Sequence, residues 1–335
     1  MENVPGMATG MHTQLLMELV DRFEKAGYQV AFPYSIRNAA HHGVPQDRRR
    51  LILLGARLGE RLPTYPSATT SLRKKAKQRA IREHAPWFGP LPECPSVGDA
   101  IGDLPDIEDF PGLLATDELP LRLEGGSHYA RLLRGEESDL EDYSFPRISN
   151  RDCLTGCLRA EHTELSRRRF MITEPGSTEP ISRFYRLALD GVCNTLRAGT
   201  ASDRGAFTSP RPIHPIYARC ISVREAARLH SYPDWFRFHR TIWHGFRQIG
   251  NSVPPFLARA VGRALLEALE FEPARPGEPV LVGPASLAKR PAVAGVVTGK
   301  GRGRAHGLRS AGRRVRPRPA AREWRRRCAR ASRCT

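Results

Sequence analysis

Residues 43–55 have the sequence GVPQDRRRLILLG, in which an arginine-rich polar segment precedes a short apolar one. A continuous apolar run of four or five residues is typical of a strand buried on both faces. Leu51–Gly55 is therefore predicted to be a buried strand, with the arginines in the loop that leads into it.

The residues upstream of this loop predict a helix followed by another strand. Apolar residues recur at helical spacing from Met11 to Phe23, and Gly27 stands where a left-handed helix cap is usual. Tyr28–Ile36 alternates between apolar and polar residues as a strand does, although Pro33 weakens it. The order helix, strand, loop, strand predicts part of an α/β layer.

Regular patterns return only near the end of the globular part. From about residue 60 to 215 the periodicity is poor, and only short helices such as one over residues 97–102 are predicted. Ser222-Val223-Arg224-Glu225 is a capping box that predicts a helix to His230. A last helix is predicted from Pro254 or Pro255 to about Leu269, with a buried stripe formed by Leu257, Val261, Leu265 and Leu269.

The composition excludes several classes of protein. The chain has 335 residues and 40% hydrophobic content, which is enough to bury a core. Its longest strongly apolar run, Leu51–Leu54, is far shorter than the roughly 20 residues of a membrane span, and Met1–Pro5 does not begin a secretory signal. No Cys-x-x-Cys pair occurs among the seven cysteines, so reduced thiols, no metal site and a cytoplasmic location are expected.

The positive charge is concentrated in the last 65 residues. The formal net charge is +18, and residues 271–335 carry fifteen Arg, two Lys and three Glu. This tail lacks hydrophobic periodicity and is predicted to be disordered. Two interpretations stay open: a non-specific DNA clamp that binds phosphates, or an extension without a selected function.

Four groups of residues, in order, resemble motifs in the second half of a DNA cytosine-5 methyltransferase of the bacterial restriction-modification type. They are Glu2-Asn3-Val4; then Gln46-x-Arg48-x-Arg50; then Thr195–Gly199 with Arg224–Leu229 and Tyr232–Asp234; and last Gln248–Pro255. Each motif alone is weak to moderate, but four in the family's order over about 270 residues are specific. The resemblance implies a partial Rossmann-like methyltransferase sheet, a small irregular target-recognition domain and the basic tail.

The resemblance also implies a substrate, a cofactor and roles for individual residues. The substrate is a cytosine flipped out of double-stranded DNA, and the methyl donor is S-adenosyl-L-methionine. Glu2 would stabilise or protonate ring nitrogen 3 of the base, while Arg48 and Arg50 would bind its carbonyl and nearby phosphates, with Arg50 at the carbonyl. Asn251 would line the cofactor pocket, and Gln46 and Arg197 would contact the target base or the DNA.

Each of these residues also has a simpler interpretation. Glu2 could be a solvated terminal residue, and the arginines around Arg48 could be a solvated turn. Asn251 could simply cap the last helix, because Asn is a good N-cap. Cys193 and Cys220 are expected to be packed thiols rather than nucleophiles.

The family's nucleophile is not found in this sequence. Members place a Gly-rich cofactor loop and a Pro-Cys-Gln loop before Glu-Asn-Val, which here begins at residue 2, and none of the seven cysteines follows a proline. The expectation is a truncated or split enzyme that needs a separate subunit carrying the missing half and is inactive alone. The alternative is a non-catalytic DNA-binding remnant of such an enzyme.

The predicted organisation has four parts. Residues 1–105 would be the end of the catalytic α/β domain and 106–192 the target-recognition region. Residues 193–270 would complete the recognition region and return to the catalytic domain, and 271–335 would be the tail. Candidates for reading bases in the major groove are Arg147, Asn150, Arg151, Arg159 and Arg167–Arg169.

Overall fold

The computed structural model describes residues 1–73, 90–144, 147–199, 211–274 and 280–281. Its strands are β1 (Glu2–Asn3), β2 (Tyr28–Val30), β3 (Ser35–Asn38), β4 (Arg49–Ile52), β5 (Gly55–Arg57), β6 (Glu118–Leu119), β7 (Arg147–Ile148), β8 (Leu154–Thr155) and β9 (Val280–Leu281). Its α-helices are α1 (His12–Lys25), α2 (Val97–Ile101), α3 (His128–Arg134), α4 (Glu164–Ile172), α5 (Val223–Leu229), α6 (Ile242–Asn251) and α7 (Pro255–Ala268). Short 3-10 helices occupy Pro5–Ala8, Ala39–His42, Ile107–Asp109 and Pro111–Leu114.

The sheets of the described residues are small, and the one that carries the arginine-rich loop is antiparallel. β4 lies between β1 and β3, with Glu2 opposite Ile52 and Arg37 opposite Arg50. A separate antiparallel pair joins β2 to β5. The predicted α/β class is confirmed, as a mixed fold with short strands.

The predicted continuous strand Tyr28–Ile36 is wrong, because the chain forms two strands in two different sheets. β2 ends at Val30 and β3 begins at Ser35. Pro33 lies between them and has no N–H to donate to a strand ladder, so pairing stops there. The predicted strand at Leu51–Gly55 is likewise divided, since β4 ends at Ile52 and β5 begins at Gly55.

The helices predicted from local signals are confirmed, but their buried faces are smaller than predicted. Ser222 caps α5 and Glu225 completes the capping box. In α7, Leu257 is fully buried, whereas the predicted stripe is wrong at Leu265 and Leu269, which are 37% and 67% exposed. Ala264 is buried instead, because a straight helix rotates the Leu265–Leu269 end of the stripe away from the core.

The main hydrophobic core collects residues from three of the predicted parts of the chain. It packs α2, α3, α5 and α6 around Leu187, Cys193 and Leu196. A smaller cluster around Leu113 and Leu119 lies within the predicted recognition region. Met1–Arg290 form one compact unit, and the predicted boundaries inside it stay predictions.

Most of the predicted tail lies outside the described residues, including Cys328 and Cys334. Within it, Val280–Leu281 form β9, which pairs in parallel with β7. The disorder of the tail as a whole stays a prediction.

Candidate functional site

Glu2 and Arg50 form an ion pair between two neighbouring strands. The Nε atom of Arg50 lies 2.8 Å from Oε1 of Glu2, and its Nη1 donates to the Arg49 carbonyl at 2.8 Å. The Arg50 side chain is 10% exposed, and that of Glu2 is 35% exposed. Burial lowers the pKa of Arg50, and the Glu2 charge opposes that effect. A carboxyl group and a guanidinium group therefore meet at a surface that solvent still reaches.

Arg48 is fully buried and binds backbone carbonyls from two distant segments. Its Nη1 donates to Leu196 at 2.7 Å, and its Nη2 donates to Gly250 at 2.7 Å and Ser252 at 2.9 Å. Burial, followed by the charge of Arg50, lowers the pKa of Arg48 to about 9. The geometry makes Arg48 a tie between the loop before β4 and the segments around residues 196 and 250–252.

Gln46 is also fully buried, and its amide group bonds to protein on both sides. Its Oε1 accepts from the Leu196 N–H at 3.3 Å, and its Nε2 donates to the Leu229 carbonyl at 3.2 Å. The same Nε2 lies 3.1 Å from Nδ1 of His230. In this structure Gln46 holds backbone segments together, and its predicted contact with DNA stays a prediction.

Asn251 and Arg197 are exposed and lie next to the residues that Arg48 binds. Asn251 is the last residue of α6, and Gly250 and Ser252 flank it. Pro254 precedes α7 as its N-cap, so the interpretation of Asn251 as the cap of the last helix is wrong. Arg197 follows Leu196 directly. Arg197 and Asn251 are thus next to residues whose backbone carbonyls Arg48 binds.

Gly250 permits a close approach between two of these segments. A Cβ atom at position 250 would lie 2.3 Å from the backbone nitrogen of Ala198 and 2.4 Å from the carbonyl carbon of Arg197. Neither backbone atom can rotate away as a side chain could. The turn at 250–252 can therefore pack on residues 197–198 only if residue 250 is glycine.

Gly250→Ala is expected to destabilise the fold by about 3 kcal/mol, the upper end for an overpacked site. The measurement is the urea midpoint of the purified chain. Gly262→Ala is the matched control, because it lies in α7 and a Cβ there meets nothing within 4 Å. The control should be unchanged or stabilised by about 0.5–1 kcal/mol, since alanine is the better helix former. Equal midpoints for both variants would contradict the close approach.

Two residues of this network, His230 and Ser252, were not predicted to have a role at the site. His230 is fully buried, and its Nε2 lies 3.2 Å from Oγ and 3.3 Å from the carbonyl oxygen of Ser252. Nothing in the local sequence identifies them, because their partners lie in other parts of the chain.

Buried arginine–carboxylate pairs fix α5 against the rest of the core. Arg219 binds Glu225 at 2.8 Å and Asp106 at 2.9 Å. Burial alone would raise the pKa of Glu225, but the charges of Arg219 and His214 lower it to about 2. Arg228 binds Asp234 at 2.6 Å and Asp103 at 3.1 Å. These pairs join α5 to the residues between 100 and 110.

Several predicted base-reading arginines are engaged within the protein. Arg167 forms a bidentate pair with Glu108, and Arg168 pairs with the exposed Glu164 at 3.2 Å. Arg151 donates to the Gly135 carbonyl at 2.5 Å. The Arg147 guanidinium lies over the Trp235 ring at 4.9 Å from its centre. No assignment of any of them to a base follows from these contacts.

None of the five described cysteines is activated as a thiolate. Burial raises the pKa of Cys94 and Cys193, and it raises that of Cys153 although this side chain is only partly buried. It raises the pKa of Cys157 and Cys220 to about 12. A thiol is nucleophilic only after it loses its proton, so the raised pKa values argue against each of these five as the nucleophile.

Within the residues that the structure describes, no cluster of three or more His, Cys, Asp or Glu side chains has the arrangement of a metal site. No helix in the same ranges combines the length and apolar character that crossing a membrane requires.

Comparison with known proteins assigns the chain to a family. The model of the C-5 cytosine-specific DNA methylase family matches residues 1–267. The chain is 53% identical over 286 residues to the type II methyltransferase M.XorII of Xanthomonas oryzae pv. oryzae, a match covering 85% of this chain and 62% of that protein. It therefore belongs to the C-5 cytosine-specific DNA methylase family, and the predicted resemblance is confirmed.

More distant relatives agree with this assignment. The type II methyltransferase M.AgeI of Thalassovita gelatinovora is 29% identical over 326 residues, which cover 80% of this chain and 73% of that protein. A crystal structure of a DNA modification methyltransferase encoded within a prophage of E. coli superposes with a TM-score of 0.57 at 26% identity, covering 80% of this chain and 68% of the other. The chain thus spans about three fifths of the length of M.XorII.

Proposed function

We propose that this chain is the base-pocket and target-recognition part of a DNA cytosine-5 methyltransferase. It methylates a flipped cytosine in double-stranded DNA when a further segment, in the same or a separate subunit, supplies the cysteine nucleophile and the rest of the cofactor pocket. The observation that carries the proposal is the 2.8 Å pair between Glu2 and Arg50, which joins two motifs 48 residues apart in a family member.

The chemistry of cytosine explains why this pair is suited to the task. Carbon 5 becomes nucleophilic only after a thiolate adds to carbon 6, which pushes electrons onto ring nitrogen 3. Glu2 stabilises or protonates that nitrogen as the addition proceeds, and to protonate it the carboxylate paired with Arg50 must first take up a proton. Within the described residues, Nε and Nη1 of Arg50 are bonded and Nη2 has no partner, so Nη2 is the donor for the ring carbonyl.

Arg48 has a different part in the proposal. Its two terminal nitrogens bind the carbonyls of Leu196, Gly250 and Ser252, so it positions the site and does not touch the base. Asn251 and Arg197 are the side chains that this tie presents to solvent. We assign Arg197 to the DNA and Asn251 to the cofactor side.

The described residues alone do not fit S-adenosyl-L-methionine, which supplies the methyl group when bound. Asn251 offers one exposed amide beside the turn at 250–252, and a single amide cannot hold a ligand of that size. The missing contacts belong to the further segment.

Exposed apolar side chains near Glu2 support the need for a further segment. Met1 and Val4 are 44% and 54% exposed on either side of β1. β1 pairs with β4 on one edge only within the described sheet. An edge strand flanked by exposed apolar residues is a surface on which further strands can pack.

A second candidate function is DNA binding without catalysis. The observation that favours it is that all five described cysteines have raised pKa values. The experiment that separates the two functions is methyl transfer by the chain with and without the part of M.XorII that it does not match.

Removal of residues 282–335 is expected to weaken binding to any DNA duplex and to flatten its salt dependence. Each lost phosphate contact should reduce the slope of log affinity against log salt by about 0.9. The measurement is fluorescence anisotropy with duplex DNA between roughly 50 and 200 mM salt. A control of full length replaces Arg325, Arg326 and Arg327 by Gln and should lose part of the slope. Unchanged affinity and slope would favour an extension without selected function.

A further inference from the structure

The hydrogen bonds around Gln46 fix the orientation of its amide group. A backbone N–H can only donate and a backbone carbonyl can only accept. The Leu196 N–H therefore points at Oε1 of Gln46, and the Leu229 carbonyl receives a hydrogen from Nε2. The second hydrogen of Nε2 faces Nδ1 of His230 at 3.1 Å. Nδ1 of His230 must accept this bond and carries no proton.

The other ring nitrogen of His230 is fixed independently by Ser252. The Ser252 hydroxyl has one hydrogen, which it donates to the Ile249 carbonyl at 2.9 Å. Its oxygen can then only accept, and so can the carbonyl oxygen of Ser252. Both lie within 3.3 Å of Nε2 of His230. Nε2 therefore carries the proton, and the imidazole is neutral.

The surroundings of His230 oppose a second proton. The ring is fully buried and stacks on Tyr232, with planes 9° apart. The charged groups that face it are the guanidinium groups of Arg48 and Arg50. Burial first, and then these two charges, hold the pKa of His230 well below its usual value.

We infer that His230 is a positioning residue of the proposed methyltransferase site, a neutral imidazole with its proton on Nε2 that ties Gln46 to Ser252. Gln46 stands two residues before Arg48, and Ser252 follows Asn251, so the ring connects the base side of the site to its cofactor side. The inference rests on the proposed function for the names of these two sides. The tautomer and the tie can be tested without methyl transfer.

Protonation at Nδ1 would break the tie through a defined sequence of contacts. A hydrogen on Nδ1 would face a hydrogen of Gln46 Nε2. Rotating the Gln46 amide to present its oxygen would then set its NH₂ group against the Leu196 N–H and its oxygen against the Leu229 carbonyl. One added proton thus costs either the bond between Gln46 and His230 or, after rotation of the amide, the two bonds to Leu196 and Leu229.

The direct test of the tautomer is ¹⁵N NMR of the full chain labelled at histidine, with His230→Gln to assign the signal. We expect an unprotonated Nδ1 and a protonated Nε2, and ¹⁵N chemical shifts of both atoms that stay constant as the pH is lowered through the ordinary pKa of histidine, about 6.5. A proton on Nδ1, or titration near the ordinary pKa of about 6.5, would overturn the inference.

Hydrogen exchange tests the tie itself. In His230→Leu, amides in both 194–199 and 249–253 should exchange about 10–100-fold faster, since two hydrogen bonds are lost between them. His214→Leu is the matched control: it is another buried histidine with a pKa lowered to about 4, which contacts the N–H groups of Ile216 and Tyr217. In the control, amides in both segments should exchange no faster than its change in global stability accounts for. Unchanged exchange in His230→Leu would overturn the inference.

The pH dependence of folding adds a readout that packing alone would not change. His230 binds its proton more weakly in the folded chain, so unfolding takes up a proton below about pH 6.5 and stability falls as the pH decreases. Below about pH 6.5, each decrease of one pH unit should therefore raise the unfolding constant of the wild type about tenfold more than it raises that of His230→Leu. His214 contributes equally to both proteins and cancels. Identical pH slopes would contradict the inference, whether or not methyl transfer is ever detected.

Discussion

In an active assembly, Glu2→Gln slows methyl transfer by about 10²–10⁴-fold while DNA binding changes little. Glutamine keeps the shape of Glu2 and can still face Arg50, whose Nε lies 2.8 Å from the carboxylate. It cannot supply a proton to ring nitrogen 3 as the thiolate adds to the base. The measurement is the single-turnover rate of labelled methyl incorporation, together with an affinity for the same duplex.

Companion variants separate this role from general damage to the pocket. Arg50→Ala should lower both the rate and the occupancy of the base pocket, because it removes the donor for the ring carbonyl and the partner of Glu2. Cys193→Ala and Cys220→Ala should keep nearly the full rate, since both thiols are packed in the core. A Glu2→Gln enzyme that works at full rate would refute the assigned role. Loss of transfer in either folded cysteine variant would mean that the nucleophile lies in this chain.

Local signals in the sequence were sufficient to predict most of the helices. The capping box at Ser222 and Glu225 places the start of α5 at Val223, because its two hydrogen bonds involve residues three apart. Gly27, with its positive φ of 85°, follows the end of α1 as predicted. These features depend only on neighbours along the chain, so their prediction needed no knowledge of the fold.

Strand pairing and burial depend on distant partners and were predicted less well. β2 and β3 look like one alternating strand in sequence, but their partners, β5 and β4, belong to two sheets. Leu265 and Leu269 have the spacing of a core stripe and are exposed, because a straight helix turns them away from the face that Leu257 buries. A pattern of apolar residues shows which face can be buried, and packing decides how much of it is.

The same distinction applies to the site. Glu2 and Arg50 were predicted from motifs, and the structure brings them together across two strands. The buried positions of Gln46 and Arg48 could not be foreseen, since they depend on contacts with residues 148–202 positions away. His230 was missed for that reason. An arginine or glutamine in a motif can bind protein backbone as readily as substrate.

The second large effect concerns the chain by itself, which is expected to transfer no methyl group to DNA. Every described cysteine has a raised pKa, and no cysteine of the sequence follows a proline as the family's nucleophile does. In the proposed function Glu2 and Arg50 hold the base, but neither side chain forms the covalent bond to carbon 6. Addition of a segment that carries this cysteine should therefore change the rate from none to measurable.

The most direct test measures incorporation of labelled methyl from S-adenosyl-L-methionine at cytosine carbon 5 of unmethylated DNA. Three samples are compared: the purified chain, the part of M.XorII that the chain does not match, and the two together or fused. Labelled methyl is expected to be incorporated only when both parts are present, and this incorporation should be lost when the chain carries Glu2→Gln. Reproducible incorporation by the purified chain alone would contradict this expectation.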